Sequence, residues 1–269
     1  MNFPIIPSNI LLSIVTVVRN DPCRLNKTIK SLNSYYNDER FEHIIIDGGS
    51  NDETVGILDD LKRHSNVKTR SEADRGIYDG MNKGITQASG KYILFLNCGD
   101  EMRAKPFEIS EWCVKLINTT IDIVCFPCLV VDELGVSLLM PKLPNKYMTP
   151  TTHQAMLFSS AYLMNNRFEI NYKIAGDFDL YLRAENRNIL IIGGDKILTA
   201  IEREGFASGN PFLAYVEYIK IAINRLHGLE KFFALTRIIS KAIIIIILKK
   251  IINKKWMRKL QEYYDNYFK

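Results

Sequence analysis

Apolar residues in the first hundred positions come as short continuous runs separated by amphipathic stretches. Ile10 to Val18 (ILLSIVTVV) is a β-branched run of the kind that forms a buried strand. Asp21-Pro22 follows, where Asp21 can cap a helix and Pro22 suits its first turn. Leu25, Thr28, Ile29 and Leu32 then recur at helical spacing, which predicts a helix from Pro22 to about Tyr36. His43 to Ile46 predicts a second strand. It ends in DGGSNDE, where glycines permit a tight turn and Ser50 with Glu53 has capping-box spacing for a helix to about Arg63. Val67 to Thr69 predicts a third strand and Ile77 to Ala88 a helix. Lys91 to Leu96 is a fourth strand, bounded by Gly90 and by Asn97-Cys98-Gly99-Asp100. This alternation predicts an α/β fold built on a mostly parallel, doubly wound sheet. Ligands of such sheets sit beyond the carboxyl ends of the strands, where Asp47 and Asp100 fall. Taken alone, each acid equally suits a turn cap.

Beyond Asp100 the alternation is lost. Pro106 to Ile117 predicts a helix, and Ile121 to Val131 with Val136 to Met140 predicts strands joined around Asp132–Gly135. From Phe212 onward the pattern is helical, and Lys241 to Lys255 (KAIIIIILKKIINKK) sets an apolar stretch among lysines.

Charge changes the picture of that tail. The net charge of +5 divides into +7 over residues 230–269 and −2 over residues 1–229. One basic segment therefore meets an anionic surface, which argues against a nucleic-acid binder with a broad basic face. Ala242 to Leu248 is too short to span a bilayer, which takes roughly 20 residues. Two readings stand: an interfacial helix with Trp256 at the boundary, or a helix packed on the domain with a solvated basic face. The N-terminus MNFPIIPSN lacks the basic start and cleavage site of a signal peptide, so the body is expected in the cytoplasm. Five cysteines do not form a secreted disulfide framework. Cys125 and Cys128 have half the spacing of a zinc site without a second pair, so buried thiols and no zinc are expected.

Neither a G-x-G-x-x-G dinucleotide loop nor a G-x-x-x-x-G-K phosphate loop is present, and TVVRNDPC is a poor triphosphate loop for a nucleotidyltransferase. SIVTVVRND, IIIDGGSNDET and EADRGIYDGMNKGITQASGKYILFLNCGD, in that order, resemble the N-terminal half of family 2 glycosyltransferases with the GT-A fold, especially bacterial enzymes of surface-polysaccharide synthesis such as O-antigen and capsule. The resemblance spans roughly Leu11 to Asp100, with weaker echoes to about Gly209. It implies a nucleotide-sugar-binding half at 1–100, an acceptor-binding half at 101–211 and a helical, basic, membrane-associated tail at 212–269.

The resemblance also implies site residues. Thr16 and Asp47 match positions that hold the nucleoside; without it, Asp47 reads as a turn-stabilising residue. Asp74 and Glu72 match the loop that closes over the nucleotide and equally suit solvated loop acids, and Asn82 is a further donor-binding candidate. Asp100 matches the last acid of an Asp-x-Asp element that binds Mn²⁺ or Mg²⁺ on the donor diphosphate. Cys98 stands where that element has its first acid, so one protein carboxylate and a weakened metal requirement are expected. His153 lies in a segment near the acceptor, and a structural hydrogen-bonding role is the competing reading. Asp177 in Ala175-Gly176-Asp177-Phe178-Asp179 matches the general base of inverting transfer, with Asp179 as its competitor; either could simply cap a helix. Arg203, in the Gly-containing stretch 202–209, could meet phosphate.

The expected activity is inverting, β-forming transfer from a nucleoside diphosphate sugar, such as UDP-Gal or UDP-Glc, to a polyprenyl-diphosphate-linked saccharide on the cytoplasmic face of a bacterial inner membrane. The alternative is a non-catalytic sugar-nucleotide-binding or scaffold protein of the same fold, which Cys98 favours.

Overall fold

A computed structural model describes residues 9–184, 188–203 and 210–251, with side chains to residue 244 in the last helix. The predicted alternation is present as β1 (Leu12–Val18), α1 (Pro22–Ser31), β2 (Phe41–Asp47), α2 (Thr54–Leu61), β3 (Val67–Ser71), α3 (Ile77–Gln87) and β4 (Tyr92–Phe95). These strands are parallel, and further chain extends the sheet with β6 (Ile123–Cys125), β9 (Met156–Ser159) and β10 (Ile189–Ile191). The order is β10-β6-β9-β4-β1-β2-β3, with β9 antiparallel to both of its neighbours. A smaller sheet has the order β5-β11-β7-β8, formed by β5 (Glu101–Met102), β11 (Thr199–Glu202), β7 (Cys128–Asp132) and β8 (Gly135–Leu139).

The large sheet is covered on both faces, as its continuous apolar strands require. On one face Leu25 of α1, Leu32 just beyond its end, and Leu58 and Leu61 of α2, with Ile109 and Trp112 of α4 (Pro106–Leu116), pack on Leu12, Ile14, Ile45 and Leu94. On the other, Met81 and Ile85 of α3 and Phe178 of α6 (Gly176–Leu182) pack on Val15, Ile44, Phe95 and Phe158. Each such buried side chain contributes roughly 1.5–3 kcal/mol of transfer free energy. Helix α3 lies directly on β1 because of Gly84: a Cβ there would fall 2.3 Å from Cγ1 of Val15.

Three local expectations change. Helix α1 ends at Ser31 rather than near Tyr36, because the chain tightens into successive three-residue turns from Leu32 to Asp38. The run Ile121–Val131 is two strands in different sheets, broken at Phe126-Pro127; Pro127 has no N–H for the ladder, and its carbonyl accepts from Leu198 N at 3.0 Å. Ser50 and Glu53 form no capping box. Ser50 Oγ is drawn to Asp47 at 2.5 Å, Glu53 makes no side-chain cap, and Asp52 Oδ1 accepts from Thr54 N at 2.9 Å instead.

The tail begins with α7 (Pro211–Arg225) and α8 (Gly228–Ile251), which pack through Ala222, Leu226, Ala234 and Ile238. No helix among the described residues is long and apolar enough to cross a membrane. Residues 252–269, including Trp256, and residues 204–209 of the Gly-containing stretch lie outside the described residues.

Candidate active site

The turns after β1 and β4 and the loop before α3 wall one side of a cavity of about 530 Å³, at the carboxyl ends of the parallel strands. The lining is completed by a 3-10 turn (His153–Ala155), the loop Lys173-Ile174 before α6, and the end of β11. The β1 turn is held open by Asn20, whose φ of 48° is a left-handed conformation that Asn tolerates. Its backbone N donates to Ser50 Oγ at 2.7 Å, and its side-chain oxygen accepts from Asn51 N at 2.9 Å.

Asp100 reaches this cavity from the turn after β4. Gly99 makes that turn with φ +98°, and a Cβ there would fall 2.4 Å from Nε of Arg24. Oδ2 of Asp100 accepts from Gln154 Nε2 at 3.1 Å, and Gln154 is itself held by the Thr152 hydroxyl. Burial raises the Asp100 carboxyl to about 6, against the opposing pull of the Gln154 hydrogen bond. Cys98 lines the same wall. Burial pushes its thiol up to about 12, and Sγ donates to the Asp21 carbonyl at 3.6 Å, so it offers no anionic ligand. Among the described residues no three His, Cys, Asp or Glu side chains cluster as a metal cage. Asp100 is thus a single carboxylate on this wall of the kind that can bind a hard cation through oxygen.

His153 lines the cavity beside Asp100. Its Nε2 lies 2.9 Å from Nδ2 of Asn97, and its Nδ1 lies 3.4 Å from Oδ2 of Asp177. Asp177 sits in the first turn of α6, which is docked on α3: a Cβ at Gly176 would fall 2.7 Å from the Tyr78 ring, and the Tyr78 hydroxyl donates to Ile174 O at 2.5 Å.

Asp74 and Arg203 also line the cavity. Asp74 Oδ1 accepts from Gly76 N at 3.0 Å, and Arg203 Nε pairs with Asp132 at 2.9 Å. The other expected residues lie elsewhere. Thr16 is fully buried in the sheet: its hydroxyl donates to Leu96 O at 2.7 Å, so it accepts from Nε2 of His43, 2.9 Å away. One donor and one acceptor role of the hydroxyl are thus used inside the sheet. Asp47 is also fully buried, accepting from Ser50 N at 3.1 Å and from Ser71 Oγ at 2.6 Å; it stabilises its turn and does not line the cavity. Glu72 is turned to Arg70 at 2.8 Å and Lys83 at 3.1 Å. Asn82 clamps Phe168, donating to its O and accepting from its N, each at 2.9 Å. Asp179 is fully buried between Arg183 at 3.0 Å and Arg225 at 2.8 Å and does not line the cavity.

Several residues of the site carried no role in the sequence reading. Gln154 directly follows His153 in the chain. Arg24, paired with Glu202 at 3.1 Å and Asp21 at 3.7 Å, gave no signal beyond its place on an amphipathic helix. Glu217 on α7 accepts from the backbone N of Lys173, Ile174 and Ala175 at 2.7, 2.8 and 2.9 Å. Its only sequence trace is a carboxylate one turn before Ile221 on the inward face of an apolar helix.

Residues 13–134 match the family described as Glycosyl transferase family 2. An uncharacterized glycosyltransferase of Mycobacterium tuberculosis is 30% identical over 183 residues, covering 64% of this chain and 68% of its own length. Among solved structures, S. aureus TarS 1–349 in complex with UDP superposes with a TM-score of 0.68 at 18% identity, over 93% of this chain and 78% of that one. This chain spans 43% of the longer TarS structure. The mannosyltransferase PcManGT from Pyrobaculum calidifontis, in complex with GDP-Man and Mn²⁺, superposes with a TM-score of 0.61 at 13% identity, over 93% of this chain and 78% of that one. The fold is thus of the GT-A type, and with a matched N-terminal half and a relative at this identity over most of its length, the chain belongs to glycosyl transferase family 2.

Proposed function

We propose that this protein transfers a sugar, with inversion, from a nucleoside diphosphate donor in the cavity to a hydroxyl of a polyprenyl-diphosphate-linked saccharide, giving a β-linkage from an α-linked UDP-hexose. The observation that carries this reading is that Asp100 and His153 line one cavity from two separate parts of the chain, with Asp177 3.4 Å from the His153 ring. One carboxylate suits the phosphate end and the other suits the acceptor. Four acids (Asp21, Asp74, Asp100, Glu202) and four cations (Arg19, Arg24, Lys173, Arg203) line the cavity. Their charges cancel, so a diphosphate brings negative charge that the walls do not offset. A divalent cation at Asp100 would supply that charge and ease departure of the diphosphate. Asp177 supplies the carboxylate of the base, Asp74 borders the donor, and Arg203 stands at the phosphate side.

The acceptor belongs to the membrane surface on this reading. Phe232, Phe233, Ile243 and Ile244 of α8 are 52–60% exposed beside Lys231 and Lys241. That pattern suits an interfacial helix on anionic lipid at the cytoplasmic face of a bacterial inner membrane, and surface-polysaccharide assembly such as O-antigen or capsule. The test is a screen of UDP-, GDP- and TDP-sugars with and without Mn²⁺, using a synthetic GlcNAc-diphospho-lipid acceptor and mass detection. One donor is expected to give a product one hexose heavier. Tight nucleotide binding with no transfer to any polyprenyl-diphosphate saccharide would favour the non-catalytic reading that Cys98 supports.

A further inference from the structure

Arg24 is built into the cavity wall against the preference of its own helix. It stands in the first turn of α1, which holds no acid although the positive end of the helix dipole favours one there. Its guanidinium lies over the turn after β4, in the space that a side chain at position 99 would fill. A Cβ on Gly99 would fall 2.4 Å from Nε, 2.8 Å from Nη2 and 2.9 Å from Cζ. Only glycine leaves that room. The guanidinium is thereby set against the turn that carries Asp100, and it lines the cavity at the carboxyl ends of β1 and β4.

Its present partners engage it poorly. Asp21 Oδ2 lies 3.7 Å from Nη1, beyond hydrogen-bond reach. Glu202 Oε2 is 3.1 Å from Nε, yet this buried Nε has no hydrogen-bond partner, so the contact is a charge pairing out of line with the N–H. A guanidinium is a planar fork that phosphate oxygens match bidentately. Glu202, in turn, does not depend on Arg24. Its Oε1 sits 2.7 Å from Nζ of Lys27, further along the same helix, so release of Arg24 strands no carboxylate.

Resting on the transferase reading above, we propose that Arg24 is a ligand of the donor diphosphate, held in waiting by Glu202. On binding, the guanidinium turns from Glu202 to the phosphate oxygens, and Lys27 keeps Glu202 paired. The acids and cations of the walls balance, and this exchange makes one of the cations available to the incoming anion.

The experiment is calorimetry with UDP, GDP and TDP, in Mn²⁺ and separately in EDTA, on wild type, Arg24→Gln, Glu202→Gln and the double variant. The nucleoside of the diphosphate that binds, titrated by NMR at millimolar concentration, controls for the fold. Arg24→Gln is expected to weaken the diphosphate about tenfold or more, as loss of a charge-assisted pair does, with the nucleoside within about twofold. Glu202→Gln removes the competing acid and is expected to tighten the diphosphate about threefold, a gain that disappears in the double variant. An Arg24→Gln protein that binds the diphosphate as wild type does, or that loses nucleoside and diphosphate alike, overturns the assignment and leaves the transferase reading intact. A Glu202→Gln gain that is absent, or equal with and without Arg24, overturns the exchange. A wild-type protein that binds none of the diphosphates overturns both the exchange and the transferase reading.

Discussion

Oε2 of Glu217 accepts from the backbone N of Ala175 at 2.9 Å, two residues before Asp177, across 42 positions of sequence. The same carboxylate takes the N–H groups of Lys173 and Ile174, so one buried acid on α7 holds the loop that presents Lys173 and Ile174 to the cavity and leads into α6. The C-terminal helical hairpin is thereby part of the site's scaffold as well as an appendage to it.

Glu217→Gln should expose that role. An amide offers one acceptor oxygen and turns an NH₂ toward backbone donors, leaving buried N–H groups unpaired at a cost of roughly 1–3 kcal/mol. Thermal unfolding should show a lowered Tm. Activity measured well below that Tm should fall further than stability alone accounts for, because the 173–175 loop loosens; unchanged kcat in a folded Glu217→Gln protein would refute the clamp.

Asp177 and Asp179 should separate cleanly. Asp179→Asn leaves Arg183 and Arg225 without their buried carboxylate, a loss of about 3–5 kcal/mol where one partner of a buried pair is removed, discounted here because both arginines are partly exposed. It should therefore lower Tm strongly, with UDP affinity and turnover normal in the folded fraction. Asp177→Asn should do the reverse, keeping Tm and UDP affinity while losing at least 100-fold in transfer. Matched melting curves and turnover assays on the two variants decide this.

Burial of Asp100 makes its ionised form costly to the fold. Its folded carboxyl, raised to about 6 by burial, holds a proton more tightly than the unfolded chain does near 3.8. Stability therefore declines as pH rises from about 4 to about 6 and is level above that, by at most about 3 kcal/mol. Asp100→Asn carries no charge to desolvate, so it should melt several degrees above wild type at pH 8 and converge with it near pH 4. The same variant should lose any Mn²⁺ effect on UDP binding, measured by calorimetry with and without the ion. Equal melting temperatures at pH 8 would contradict the buried-charge account.

The exposed side chains of α8 give a separate test of membrane contact. Phe232→Ser with Phe233→Ser removes two rings that are 60% and 54% exposed and so should leave Tm within a degree or two. Co-sedimentation with vesicles containing phosphatidylglycerol should drop several-fold. Binding equal to wild type would leave α8 as a helix with a merely solvated face.

Local pattern determined a large part of this molecule. The β-branched runs at β1 and β2, the Asp21-Pro22 start of α1 and the alternation through β4 follow from steric and solvation preferences that act within a few residues, and the structure keeps them in order. The place of Asp100 beyond β4 and of Asp177 in the first turn of α6 was legible for the same reason, because each is set by the end of a neighbouring element. Which polar groups face the cavity was decided only by tertiary structure. Thr16 and Asp47 stand where a ligand-facing role fits the chain, yet sheet order brings His43 onto one and the loop fold brings Ser71 onto the other, so both carry internal hydrogen bonds. Asp177 and Asp179 are two residues apart on a short helix and are indistinguishable by pattern. A 100° turn per residue sends one toward His153 and the other into the core, where Arg225 from α7 arrives from 46 residues away. Long-range packing allots partners to buried charge, and neighbouring residues alone do not carry that allotment.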